Sequence, residues 1–179
     1  MKLFTSTEFN SFQDLFVDQL EDLYDAEQRL TQALPKMSDA ANSNQLKQAF
    51  RQHLTETQGH VSRLETIFRQ LGTDPKRETC QAMKGLISEG EEIVDAKGDP
   101  AIKDAALIAA AQRVEHYEIS GYGTARSFAL RLGRTEAANL LQQTLEEEKA
   151  ADQKLNQIAE GSVNLQASAQ STATAGSKY

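Results

Sequence analysis

The run Leu20-Glu21-Asp22-Leu23-Tyr24-Asp25-Ala26-Glu27-Gln28-Arg29-Leu30 returns to one side every third or fourth residue, and it sets an acid where the next apolar side chain belongs. Followed outward, the series Phe9, Phe12, Phe16, Leu20, Leu23, Glu27, Leu30 and Leu34 marks one face of a long helix. At about 100° per residue, Glu27 falls near the middle of the face that must be buried. Upstream, Thr5-Ser6-Thr7-Glu8 has the spacing of a capping box and predicts the helix start. Downstream, Pro35 removes a helical donor and predicts a kink or restart, and Ala41-Asn42-Ser43-Asn44 predicts a turn.

A second helix follows on Leu46, Phe50, His53, Thr57, His60, Leu64, Ile67 and Leu71, stopped by Gly72. Gly72-Thr73-Asp74-Pro75 opens a long connection holding a shorter helix from about Glu78 to Ala96, and Gly98-Asp99-Pro100 closes it. The third long helix carries Leu107, Ala111, Val114, Glu118, Tyr122, Ala125 and Leu132, ended by Gly133. Thr135 is expected to cap a fourth, on Leu141, Leu145, Glu148, Asp152, Leu155 and Ala159, ended by Gly161. Residues 1–161 thus form one helical domain, and the Ser/Thr/Ala/Gln-rich segment 162–179 reads as a disordered polar tail. Two helical hairpins joined by a crossover of roughly 25 residues define an all-α, ferritin-like four-helix bundle. The halves echo each other: laying Glu27 on Glu118 also lays Leu23 on Val114, Leu54 on Leu145, Glu56 on Glu147 and Leu64 on Leu155.

Bulk composition agrees. A chain of 179 residues with three Pro, no Trp and 6% aromatics suits one helical domain. Its net charge of −7 argues against a nucleic-acid partner, which needs clustered Lys and Arg, and favours cations. The single cysteine, Cys80, excludes an internal disulfide and a paired-cysteine metal knuckle. The first residues hold no apolar run of signal-peptide length, and no stretch is apolar enough to span a membrane, so a cytoplasmic location and no membrane partner are expected.

Each long helix interrupts its apolar face with an acid or imidazole near its middle: Glu27 on the first, His53 and His60 with Glu56 on the flank of the second, Glu118 with Glu115 beside it on the third, Glu148 and Asp152 on the fourth. One such acid on a stripe is ordinarily a solvated flank. Four helices doing so together, with Arg63, Lys149 and Lys154 reading as surface-directed, is hard to explain by packing, because a buried unpaired carboxylate costs several kcal/mol or gives up its charge. Metal ions remove the difficulty, and paired carboxylates with imidazoles on facing helices are how such bundles hold two of them. The donor types suit iron, with manganese as the alternative. Glu27, His53, Glu56, His60, Glu118, Glu148 and Asp152 are the candidate ligands. The repeat favours Glu147 over Glu148, and the helix phase favours Glu148. Either histidine is a ligand, a supporting partner or a hydrogen-bonded core residue.

At these same residues, Asp22-Leu23-Tyr24-Asp25-Ala26-Glu27, His53-Leu54-Thr55-Glu56-Thr57, Val114-Glu115-His116-Tyr117-Glu118-Ile119 and Thr144-Leu145-Glu146-Glu147-Glu148-Lys149-Ala150-Ala151-Asp152, the chain resembles the YciF-like stress proteins of the ferritin-like superfamily. The resemblance spans about residues 8 to 160. It implies a bacterial, cytoplasmic, homodimeric bundle associated with general or osmotic stress and carrying a di-iron centre. The chain departs from the ferritin Glu-x-x-His signature, since Gly59 stands three residues after Glu56 and Ala150 three after Glu147. Two readings follow. In the first, a di-metal stress protein reacts with peroxide or oxygen; in the second, a non-enzymatic helical scaffold keeps a vestigial site. Metal content of the purified protein separates them. A third, iron storage, requires a closed multi-subunit shell.

Overall fold

Ser11 accepts the amide hydrogen of Asp14 on its side chain, and Asp14 in turn accepts from the Asn10 amide, which opens α1 (Phe12–Ala40). In this computed structural model, which describes residues 8–75 and 79–175, the helix therefore starts later than the predicted capping box. Glu8 and Phe9 precede it in irregular chain, and Thr5, Ser6 and Thr7 lie outside the described residues. α1 runs through Pro35 without a restart; the ring removes one ladder bond, while Leu34 and Met37 on either side stay buried.

Ser43 caps α2 (Asn44–Leu71), which ends at Gly72 in the left-handed conformation. After α3 (Gln81–Asp95), Asp99 caps α4 (Pro100–Arg131) by accepting from the Ala101 and Ile102 amides, with Pro100 in the first turn. Gly133, with φ of 70°, makes a left-handed turn and leads to α5 (Thr135–Ile158). Here Thr135 is the first helical residue and not the cap; Arg134 holds that position with no side-chain bond.

The chain does not stop at Gly161. A five-residue π-helical turn, Ala159–Val163, passes into α6 (Asn164–Ala175). The segment expected to be a disordered tail is therefore helical through Ala175, and residues 176–179 lie outside the described residues. Two physical reasons outweigh its polar composition: alanine is the best helix former, and Val163 is buried where this segment meets α4.

α1 and α2 form one hairpin and α4 and α5 the other; α1 packs on α4 and α2 on α5, which closes a four-helix bundle of ferritin-like connectivity. α3, within the crossover, lies against α1 and α4. No strand and no helix long and apolar enough to cross a membrane occur among the described residues. The core has two apolar ends. Phe16, Leu20, Leu23, Leu64, Phe68, Ala125 and Leu141 fill one, and Leu30, Leu34, Leu46, Phe50, Leu107, Val114 and Leu155 fill the other. Between them, all four long helices present polar side chains to one another.

Candidate metal centre

That middle layer is built by helical spacing. α1 supplies Glu27; α2 supplies His53, Thr57 and His60; α4 supplies Glu115 and Glu118, one turn apart; α5 supplies Glu148. All seven are buried, and five of them, Glu27, Thr57, His60, Glu118 and Glu148, have no exposed surface. Their donor atoms gather into two groups in which every atom lies within 4.8 Å of the others: His53, Glu115, Glu118 and Glu148 in one, and Glu27, His60 and Glu148 in the second. Glu148 belongs to both. Its Oε1 is 2.9 Å from His60 Nδ1 and its Oε2 3.7 Å from His53 Nε2.

Each imidazole is held from behind by a carboxylate outside the layer. His53 Nδ1 is 3.4 Å from Glu56, which also accepts from the Gln52 side chain at 2.9 Å. That leaves Nε2 facing inward, 3.4 Å from Glu115. His60 is turned the other way: Nε2 is 2.9 Å from Glu147, and Nδ1 faces Glu148 and, at 3.2 Å, Glu27. Glu147 is itself fixed by both terminal nitrogens of Arg63, at 2.7 and 2.8 Å. A carboxylate behind a histidine fixes which ring nitrogen carries the proton and how the ring points, the arrangement that supports metal-bound histidines. The Tyr122 hydroxyl donates to Glu27 Oε1.

Protons stand in this layer where cations would. Burial alone would push the His53 imidazole down, yet Glu115, Glu56 and Glu148 carry it up to about 9. His60 likewise resists burial through Glu148 and Glu27 and reaches about 10. Burial, reinforced by the neighbouring acids, holds the Glu118 carboxyl well above the usual range; burial does the same to Glu115 against the opposing pull of His53. Glu148 is lowered despite its burial because His60 and His53 flank it.

The residues fit a pair of cations. Among the described residues, the buried side-chain oxygens and nitrogens without a hydrogen-bond partner all belong to this layer: Glu27 Oε2, His53 Nε2, Thr57 Oγ1, His60 Nδ1, Glu115 Oε2, and both oxygens of Glu118 and Glu148. His60 Nδ1 and Glu148 Oε1 lie 2.9 Å apart, yet neither atom makes an aligned hydrogen bond. Bonds of about 2.0–2.2 Å to N and O place ligands across one ion about 4 Å apart, close to the spacing within each group. Four carboxylates would balance two divalent ions with both imidazoles neutral, and oxygen with imidazole nitrogen is a donor set for iron or manganese.

Of the sequence-predicted ligands, Glu27, His53, His60, Glu118 and Glu148 are brought together. Glu56 and Asp152 are not. Glu56 stands half-buried behind His53, and Asp152, rotated about 40° from Glu148 and one methylene shorter, accepts from Gln112 at 2.9 Å with His116 at 3.4 Å. Glu115 joins the layer in full, a place that sequence reasoning left open. Arg63, expected to be surface-directed, instead folds over Glu147 and Thr144. Tyr24 donates its hydroxyl to Glu65 at 3.1 Å.

Residues 11–168 match the family described as a domain of unknown function (DUF892). Protein YciF of Escherichia coli (strain K12) is 46% identical over 158 residues, covering 88% of this chain and 95% of that protein. The crystal structure of the E. coli stress protein YciF superimposes with a TM-score of 0.84 at 45% identity, over 87% of this chain and 99% of that one. A ferritin-like, diiron-carboxylate protein from Bacillus anthracis str. Ames shares the fold, with a TM-score of 0.65 at 16% identity over 84% of this chain and 99% of that one.

Proposed function

The chain belongs to the DUF892 family, and from that membership and the convergence of six side chains we propose that it is a di-metal stress protein, holding two ions, iron before manganese, between its helices. The observation that carries this reading is the confinement of unpartnered buried polar atoms to one layer. A protein that needed only a helical scaffold would be more stable with apolar side chains there. The stress role rests on the likeness to YciF, and the choice of iron on the donor set.

A redox-active pair of ions held by Glu27, His53, His60, Glu115, Glu118 and Glu148 would supply the electrons for reaction with peroxide or oxygen. The chain's own residues do the rest. Glu148 offers one oxygen to each group and so ties the two positions together. Glu56 and Glu147 fix the ring orientation of His53 and His60 from outside. The Tyr122 hydroxyl holds Glu27 in place, and the apolar ends of the bundle exclude water from above and below. The histidines both come from α2, so the set is not a copy of the ferritin arrangement of Glu-x-x-His on separate helices.

Anaerobic titration of metal-free protein with Fe(II) tests the reading. It should reach two ions per chain, and Glu27→Ala and Glu118→Ala should each weaken binding by roughly 100-fold or more, since loss of a mere supporting partner of a ligand already costs roughly 10–100-fold. Binding of less than one ion per chain, with a native far-ultraviolet spectrum, would identify a scaffold with a vestigial site instead.

A further inference from the structure

The two halves of the polar layer differ in access. Laying the chain on itself with Glu27 on Glu118 puts His60 on Ala151 and Glu147 on Glu56. In one half, the His60 ring fills the space beneath Glu147, and Arg63 closes over it by bonding both Glu147 and Thr144. In the other half, a methyl group at Ala151 stands where that ring would be. Glu56, lacking a ring across the interface, turns along its own helix to His53.

The room left is a cavity of about 210 Å³ between α2 and α5, lined among others by Ala49, His53, Glu56, Glu115, Ala151 and Lys154. Its outer end reaches solvent at Lys154, which is exposed, and at Glu56, whose side chain is 30% exposed. Its inner end is polar and starved of partners: His53 and Glu115 are 6% and 3% exposed, and His53 Nε2 and Glu115 Oε2 have no hydrogen bond. Pockets for drug-sized ligands run to about 300–1,000 Å³, so this one admits only small molecules.

Resting on the two-ion reading above, we propose that this cavity is a port by which small external ligands reach the ion held at His53, Glu115, Glu118 and Glu148, while the position at Glu27, His60 and Glu148 is closed. The ligands that fit are small anions and peroxide-sized molecules, with the Lys154 ammonium at the mouth favouring negative charge. Ala151 is the residue that sets this access. It is a specificity-determining position, since it touches no ligand atom chemically and acts by leaving space.

Cobalt(II) and azide provide a test independent of turnover. Loaded anaerobically, the protein should bind two Co(II) ions, and azide should perturb the visible spectrum of one of them. Ala151→Leu should still bind two ions but raise the dissociation constant for azide by roughly tenfold or more, because the branched side chain occupies the cavity. Should Ala151→Leu fold poorly, Ala49→Leu on the opposite wall must act in the same direction. Two bound cobalt ions with an azide response indifferent to both substitutions would overturn the port alone. No cobalt bound by the unsubstituted protein would overturn the two-ion reading and the port with it.

Discussion

The same four helices pass through two kinds of interior. Toward either end of α1 the buried side chains are Phe16, Leu20 and Leu23, or Leu30, Leu34 and Met37; between them stands Glu27, buried as deeply as any. α2, α4 and α5 repeat the pattern around His53–His60, Glu115–Glu118 and Glu148. The ends gain stability from each apolar side chain taken out of water, on the order of 1.5–3 kcal/mol for a leucine. The middle gains nothing of the kind, since desolvating a carboxylate opposes folding unless a cation or proton compensates. The ends therefore hold the helices in register, and the middle gives up part of that stability.

The sharpest way to break this division is at an end. Leu64, 1% exposed among Phe16, Phe68 and Leu141, should cost about 2–5 kcal/mol when replaced by alanine, read from the urea midpoint of metal-free protein. Metal stoichiometry should stay at its unsubstituted value. Loss of ions from a still-folded Leu64→Ala would mean that end and middle are not separable.

The middle is probed by pH. With His53 near 9 and His60 near 10, against 6.5 for a free imidazole, the folded protein keeps protons that the unfolded chain releases. The raised Glu115 and Glu118 carboxyls act in the same sense from 4.5 upward. Stability of the metal-free protein must then fall as pH rises from 6.5 toward 9, by about 1.4 kcal/mol per pH unit for each proton retained. The lowered carboxyls, Glu56, Glu147 and Glu148, contribute stability that is lost only on acidification below 4.5. Denaturation midpoints that stay level or climb between pH 6.5 and 9 in the presence of chelator would refute this account of the layer. Metal should reverse the slope, since ions displace those protons.

The smallest effect lies away from both regions. Asp104, 3% exposed on α4, accepts the amides of Asn42 and Ser43 at 2.7 Å each and so clasps the turn between α1 and α2. Asp104→Ala should lower stability by about 1.5–3 kcal/mol, the scale of a hydrogen bond to a charged group, and leave metal binding and the pH slope intact.

The bundle was legible because its signals are local: apolar spacing, Ser43 and Asp99 at helix starts, and Gly72 and Gly133 at two ends. The YciF-like resemblance on the four acidic motifs agrees with the comparisons. What escaped depends on distant partners. Nothing within α2 says that Glu56 serves His53 from behind, because at this spacing a flank acid can turn inward or along the helix. Asp152 shares the stripe with Glu148 only approximately, and a 40° drift over four residues was enough to hand it to Gln112. Arg63 looked free because its partner Glu147 lies on another helix. The segment 162–179 read as a tail because composition does not record that Val163 finds a buried place.

Glu148 has one more consequence. With one oxygen near each imidazole, it makes the two positions parts of a single balance. An ion or proton gained on one side draws that carboxylate and so changes what the other side will accept. Thermodynamic reciprocity then requires the influence to be equal in both directions. On the two-ion reading, the centre would fill as a linked pair, with two affinities coupled through that carboxylate.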